Sequence, residues 1–228
     1  MLAIIPARAG SVRIPKKNLI DFNGKPLIAW TIEAAISSNE IDQILVSTDS
    51  EEICEIAKAY GVLCPFKRPE NLSDSNAMMV DVVIHAISWF ENNFKIVNEI
   101  ILLQPTSPLR TSEHINEAIK KYNTTDSDSL VSVVEIPHTM HPDITHKLSG
   151  DYLVPFCEQH KNNQMEVSRK KAFARNGPAI LINTSANFKK RKKFGDKLAF
   201  YLMNKCDSID IDNEEDLLLA DYYYRCQK

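Results

Sequence analysis

Two aspartates spaced two residues apart, Asp210 and Asp212 in the stretch DSIDIDNEEDLLLAD, are the side chains of this chain best suited to chemistry. Ile209 and Ile211 make the stretch alternate apolar and acidic, and a period of two sends both carboxylates to one face. Two hard oxygen ligands at a strand end can hold Mg²⁺ that also bridges phosphate oxygens. A second reading gives Asp212 to the following helix as its N-cap, with Glu215 completing a capping box, and leaves Asp210 without a capping role. Positive charge collects near the other end of the chain. In IPARAGSVRIPKKN, Ile5 to Asn18, four cations (Arg8, Arg13, Lys16, Lys17) surround Gly10 and Ser11 between an apolar run and a helical pattern, so they and the backbone amides can cradle a polyphosphate. With neither a Walker GK[ST] nor a GxGxxG sequence present, the same loop reads equally well as solvated lysines with Arg8 paired to a carboxylate. In a third stretch, LLQPTSPLRTSEHI, Gln104 ends a strand ahead of two prolines, where its amide can hydrogen-bond a sugar or the loop backbone.

These groups need a scaffold that gathers strand ends. Short apolar runs predict strands over Leu2–Pro6, Gln43–Ser47, Val62–Phe66, Glu99–Leu103, Ser129–Val134, Ala179–Ile182 and Leu198–Met203. Helical spacing falls between them, over Pro26–Ser37, Ser50–Tyr60, Ala77–Asn92, Ser112–Tyr122 and Glu214–Tyr224. The alternation implies an α/β fold of βαβ units, with a Rossmann-like, mostly parallel sheet covered on both faces. Ligands of such sheets bind at the carboxyl ends of the strands, which is where the basic loop falls. From Pro137 to Arg175 the pattern breaks into polar, loop-rich sequence with a hairpin signal around Ser149–Gly150–Asp151, as expected of an inserted lid or a subunit-contacting arm.

Composition sets the outer limits. With 228 residues, 44% of them hydrophobic and 25% charged, the chain suits one enzyme-sized domain spanning 1–228. A net charge of −3 gives no global attraction to nucleic acid or to anionic membranes, so the loop cations must act locally on a small anion. Five cysteines, an odd number without a CxxC pair, argue against a disulfide framework or zinc site and favour a reducing cytoplasm. No basic segment precedes the short apolar start, so neither a targeting nor a membrane-spanning segment is expected there. The run KKRKK, Lys189 to Lys193, reads as solvated surface; His138, His141 and His146 match no strong metal-site spacing; and Trp30, Trp89 and Tyr222 to Tyr224 read as packing.

Six ordered stretches, IPARAGSVRIPKKNL, ILVSTDSEEI, RPENLSDSNA, LLQPTSPLRT, RNGPAI and DSIDIDNEEDL, make the chain resemble the acylneuraminate cytidylyltransferases over nearly its whole length. The resemblance implies a nucleotidyltransferase-type fold, a homodimer formed through an extended arm, and use of CTP with Mg²⁺ to convert an acidic nine-carbon α-keto sugar, a nonulosonate, into its CMP derivative with release of pyrophosphate. It places Arg8, Ser11, Lys17 and Asn18 at the phosphates, Arg68 near the nucleotide, and backbone groups from Ala77 to Met79 at the base. It also assigns Gln104 to the sugar, Arg169 and Arg175 to its carboxylate, and Asp210 and Asp212 to the metal. Val12 stands where the family usually carries lysine, and Arg13 is expected to supply that cation. Leu181, where neuraminate-specific relatives often carry tyrosine, tilts the expected substrate toward a modified bacterial nonulosonate of legionaminate or pseudaminate type.

The implied chemistry is in-line attack of the anomeric hydroxyl on the α-phosphorus of CTP, driven by positioning and charge compensation. Arg8, Arg13 and Lys17 stabilise the departing pyrophosphate in this scheme. Two other classes fit parts of the sequence: a catalytically inactive nucleotide-binding homologue, because of Val12, and a metal-dependent glycosyltransferase, because DID resembles the carboxylate pairs of sugar-nucleotide users.

Overall fold

The computed structural model describes residues 1–11, 13–157, 171–175, 177 and 179–227. In chain order the strands are β1 (Leu2–Pro6), β2 (Asp21–Phe22), β3 (Lys25–Pro26), β4 (Gln43–Ser47), β5 (Glu99–Leu102), β6 (Ser129–Glu135), β7 (His146–Ser149), β8 (Tyr152–Pro155), β9 (Phe173–Ala174), β10 (Leu181–Thr184) and β11 (Leu198–Leu202). The helices are α1 (Leu27–Ile36), α2 (Glu51–Ala59), α3 (Met79–Asn93), α4 (Ser112–Thr124), α5 (Ser185–Lys189) and α6 (Glu214–Cys226).

Every residue of β1 is buried, as the continuous apolar run LAIIP requires of a strand covered on both faces. It pairs in parallel with β4 on one side, Ile5 opposite Val46, and with β5 on the other, Ala3 opposite Ile101. The sheet runs β11-β6-β10-β5-β1-β4, with β9 pairing the far end of β6. Alternation along β1 divides the core. Ala3 and Ile5 face one layer with Ile28, Ile32, Ile53 and Ile119, while Leu2 and Ile4 face the other with Val83, Ile87, Phe90 and Phe188. A third cluster, holding Ile14, Phe22, Leu27, Leu109, Ile209, Ile211 and Ala220, packs α6 beneath the basic loop.

Several local expectations change. The last buried strand before α5 begins at Leu181 and runs antiparallel to both neighbours, an inversion within a mostly parallel sheet. The expected strand Val62–Phe66 is reduced to one isolated bridge to β4, Leu45 with Leu63, followed by a second just beyond it, Thr48 with Lys67, because Pro65 removes a donor between them. Helix α5 has five residues, too few to leave a periodic signal; Thr184 Oγ1 accepts from the Asn187 N–H at 3.1 Å. Helix α6 takes Asn213 as N-cap and Asp216 as the partner in its capping box, one residue later than the Asp212 and Glu215 reading. The tract Lys189 to Lys193 is surface paired with acids: Lys189 with Glu91, Arg191 with Asp81 and Lys192 with Asp196.

Candidate active site

The C-terminal ends of β1, β4 and β5 converge where the sheet order turns about β1. A cleft of about 300 Å³ opens there, and Arg8, Gly10, Ser11, Lys17, Asn18, Arg68, Ala77, Met79 and Gln104 are among the residues that line it. Eight of the residues expected at a nucleotide or sugar site from sequence thus share one cavity.

The loop after β1 is braced from both sides. Asn18 Nδ2 donates to the Arg8 carbonyl at 3.0 Å, and Arg8 itself donates to the Asp74 carbonyl at 3.1 Å. Asp49, just past β4, accepts from the Ala9 N–H at 2.8 Å and sits 3.6 Å from the Arg68 guanidinium, which is almost wholly buried. Burial holds Arg68 below the ordinary guanidinium range against the pull of Asp49, and neighbouring Arg8 adds to that effect. Asp49 therefore ties the loop to the cleft wall. Its signal in sequence was the polar break STDS after an apolar run, which by itself names no partner. The two lysines part ways: Lys16, in a left-handed conformation, pairs with Glu52 at 2.8 Å at the surface, while Lys17 turns inward.

Lys17 links the cleft to the aspartates. Its Nζ donates to the Ile211 carbonyl at 2.6 Å and lies 3.2 Å from Asp212 Oδ1, and Arg13 approaches Asp212 Oδ2 at 3.1 Å. Asp210, Asp212 and Arg13 flank the cleft and are not among its lining residues. The acidic stretch is not a ladder strand; its alternation arises because Ile209 and Ile211 are buried under α6 while the Ile211 N–H donates to the Thr106 carbonyl at 2.8 Å. Asp210 Oδ1 is buried without a hydrogen-bond partner, as is Thr106 Oγ1. Burial pushes the Asp210 carboxyl above the usual carboxylate range; the nearby Thr106 hydroxyl and Lys17 oppose this, and Asp212 and Asp216 add to it. The loop before β10 closes over the same carboxylate: Gly177, at φ 48°, has no room for a Cβ against Asp210. An orphaned buried carboxylate oxygen beside a second carboxylate suits a hard divalent cation. Among the described residues no third His, Cys, Asp or Glu joins them, so the remaining ligands would be substrate or water oxygens.

Gln104 is set by a residue the sequence reading passed over. Arg110 is almost completely buried and donates to the carbonyls of Gln104 (3.2 Å) and Ala179 (2.6 Å) and to Thr31 Oγ1 (2.6 Å). Burial pushes its guanidinium down to about 9, which leaves it charged at neutral pH. One side chain thus joins the end of β5 to the segment that follows Gly177. Arg175 lies outside the cleft lining, its guanidinium stacked 4.5 Å over the Phe194 ring. Arg169 and Val12 fall outside the described residues.

The family model described as Cytidylyltransferase matches residues 2–225. A pseudaminic acid cytidylyltransferase from Campylobacter jejuni is 32% identical over 224 residues, covering 98% of this chain and 96% of that protein. An N-acylneuraminate cytidylyltransferase from Streptococcus agalactiae is 35% identical over 220 residues, covering 95% of this chain and 51% of that longer protein. A solved CMP:2-keto-3-deoxy-manno-octonic acid synthetase in complex with CTP superposes with a TM-score of 0.72 at 14% identity, covering 100% of this chain and 99% of that one, which is a likeness of fold.

Proposed function

The chain belongs to the cytidylyltransferase family, and from that premise we propose that it joins CTP to an acidic nine-carbon α-keto sugar, yielding the CMP-sugar and pyrophosphate. The observation that carries the reading is the meeting of the β1 loop cations with the aspartate pair: Lys17 and Arg13 reach Asp212, and the neighbouring Asp210 Oδ1 is buried without a hydrogen-bond partner. Arg8, Ser11, Lys17 and Asn18 surround the triphosphate. Arg68, Ala77 and Met79 form the nucleoside end, where α3 begins without a side-chain cap and so leaves amide donors for the base.

Gln104 binds a sugar hydroxyl, and the sugar carboxylate pairs with Arg169 and with Arg175, which must first leave its stack on Phe194. The anomeric oxygen attacks the α-phosphorus as the bond to pyrophosphate breaks, and Arg8, Arg13 and Lys17 compensate the charge that leaves. Mg²⁺ held by Asp210 and Asp212 would supply further neutralisation of the phosphates when bound. Arg13 and Lys17 hold Asp212 at the cleft edge, and the close approach of the Gly177 backbone limits where the Asp210 carboxylate can lie.

The chain works as a homodimer in this reading. The β7–β8 hairpin exposes Leu148, Tyr152 and Leu153, and the sheet end exposes Phe173 and Phe200, apolar area that a second copy would cover. The same reading assigns the reaction to the cytoplasm, in keeping with five cysteines that form no disulfide among the described residues; no helix among those residues is long and apolar enough to cross a membrane. A coupled pyrophosphate assay with CTP and neuraminate, legionaminate or pseudaminate tests the function, with the modified sugars expected to turn over fastest. Absence of CTP-dependent pyrophosphate with all three would overturn it.

A further inference from the structure

Beside the β4 edge of the sheet, a second cluster has no part in the chemistry above. Cys54 on α2 and Cys64 in the segment beside β4 lie side by side, with Cys54 Sγ donating to the Cys64 carbonyl at 3.4 Å. Both line a surface pocket of about 150 Å³ with Lys58, Phe66 and Lys67. Cys54 is half-buried and Cys64 buried, so a small oxidant reaches Cys54 first.

The pair sits at a weak point of the edge. Leu63 and Lys67 bridge β4, but Pro65 interrupts the pairing between them, so Cys64 to Phe66 is held by side chains alone. Directly after it the Arg68 N–H donates to the Thr48 carbonyl at 2.7 Å, and the Arg68 side chain lines the nucleotide cleft. Only Pro65, Phe66 and Lys67 separate Cys64 from Arg68, so a displacement of Cys64 acts on the Arg68 backbone through a short tether.

We propose that Cys54 and Cys64 are a redox-active dithiol, and that its closure to a disulfide draws the Cys64–Arg68 segment toward α2 and withdraws Arg68 from the nucleotide. The oxidant is a hydroperoxide. The Cys54 thiolate attacks the peroxide oxygen, the O–O bond breaks and an alcohol or water leaves, giving a Cys54 sulfenic acid. The Cys64 sulfur then attacks the Cys54 sulfur and expels water, so two thiols lose two electrons and two protons to one peroxide. Burial pushes the Cys64 thiol up to about 12, so the more exposed Cys54 sulfur meets the peroxide first and Cys64 serves as the resolving thiol.

The Arg68 half of this inference rests on the nucleotide reading above; the disulfide half does not. The full chain is treated with one equivalent of hydrogen peroxide and digested without reductant. A Cys54–Cys64 linked peptide two hydrogens lighter than its parts is expected, with a rise in KM for CTP of about fivefold or more that dithiothreitol reverses and that Cys54→Ser prevents. Absence of that linked peptide, or its formation with unchanged KM for CTP, overturns the proposal. If the reduced protein shows no turnover, calorimetric CTP binding replaces KM, so failure of the functional reading stays distinguishable from failure of the switch.

Discussion

Gly177 presses its backbone against the Asp210 carboxylate: a Cβ at Gly177 would lie 1.7 Å from Oδ2, and its φ of 48° is one that only glycine adopts without strain. Gly177→Ala therefore forces Asp210 aside. We expect turnover to fall about as far as in Asp210→Asn, with a further stability loss of about 1–2 kcal/mol from the left-handed backbone. Steady-state kinetics beside urea unfolding check this, and near-normal kcat in Gly177→Ala would show that the contact is not needed.

Asp210 and Asp212 should act as a unit. Either Asp→Asn variant keeps shape and removes a charge, so we expect turnover to drop by about two orders of magnitude or more, with the double variant little worse than the single ones. Titration with Mn²⁺, followed by its electron spin resonance, should show weakened binding in each. Wild-type turnover in Asp210→Asn at limiting Mg²⁺ would remove the metal assignment.

Arg13 is largely exposed and, among the described residues, pairs with Asp212. An exposed pair of this kind contributes at most about 1 kcal/mol to folding. Arg13→Ala should therefore leave the melting temperature nearly unchanged while cutting turnover with CTP at least tenfold. Equal rates in variant and parent would return the loop to ordinary solvated surface.

Arg110 clamps Gln104 and Ala179 from inside the core. Arg110→Met leaves buried carbonyls unsatisfied, and we expect a loss of about 2–4 kcal/mol in chemical denaturation. Arg110→Lys keeps the charge but lacks the planar fork, so it should recover part of the stability while the KM for the sugar stays raised. Full kinetic recovery in the lysine variant would reduce Arg110 to a buried charge with no positioning role.

Asp128 supplies the pH dependence. Burial opposes its charge, but the Asp196 and Lys197 N–H groups, at 3.0 and 2.9 Å, and the Asn187 amide outweigh burial and hold its carboxyl below the usual range. A carboxyl with a depressed folded pKa stabilises above its unfolded pKa, about 4, and loses that contribution as pH falls through the folded value. The melting temperature of Asp128→Asn should lie below that of the parent at pH 7, and the two should converge below pH 4. A gap that stays constant down to pH 2 would exclude the linkage.

Sequence alone determined the layered α/β plan and the position of the basic loop, because both follow from local periodicity: a buried strand leaves an apolar run and a helix leaves a 3.6-residue stripe. The hairpin at Ser149 to Tyr152 was legible for the same reason, through Gly150 and its left-handed turn. The alternation of Ile209 to Asp212 was legible too, yet its cause was not: burial under α6 and one bond to Thr106 produce it, in place of a ladder. Tertiary structure alone decided that β10 runs against its neighbours, that Asn213 and not Asp212 caps α6, and that Arg175 stacks on Phe194. It also decided that Gly177 abuts Asp210, that Asp49 ties Ala9 to Arg68, and that Arg110 is buried. Each of these joins residues from separate segments. Local propensity carries no term for a partner tens of residues away; only the packed chain, where a buried polar group must find its acceptor or remain unsatisfied, settles such pairings.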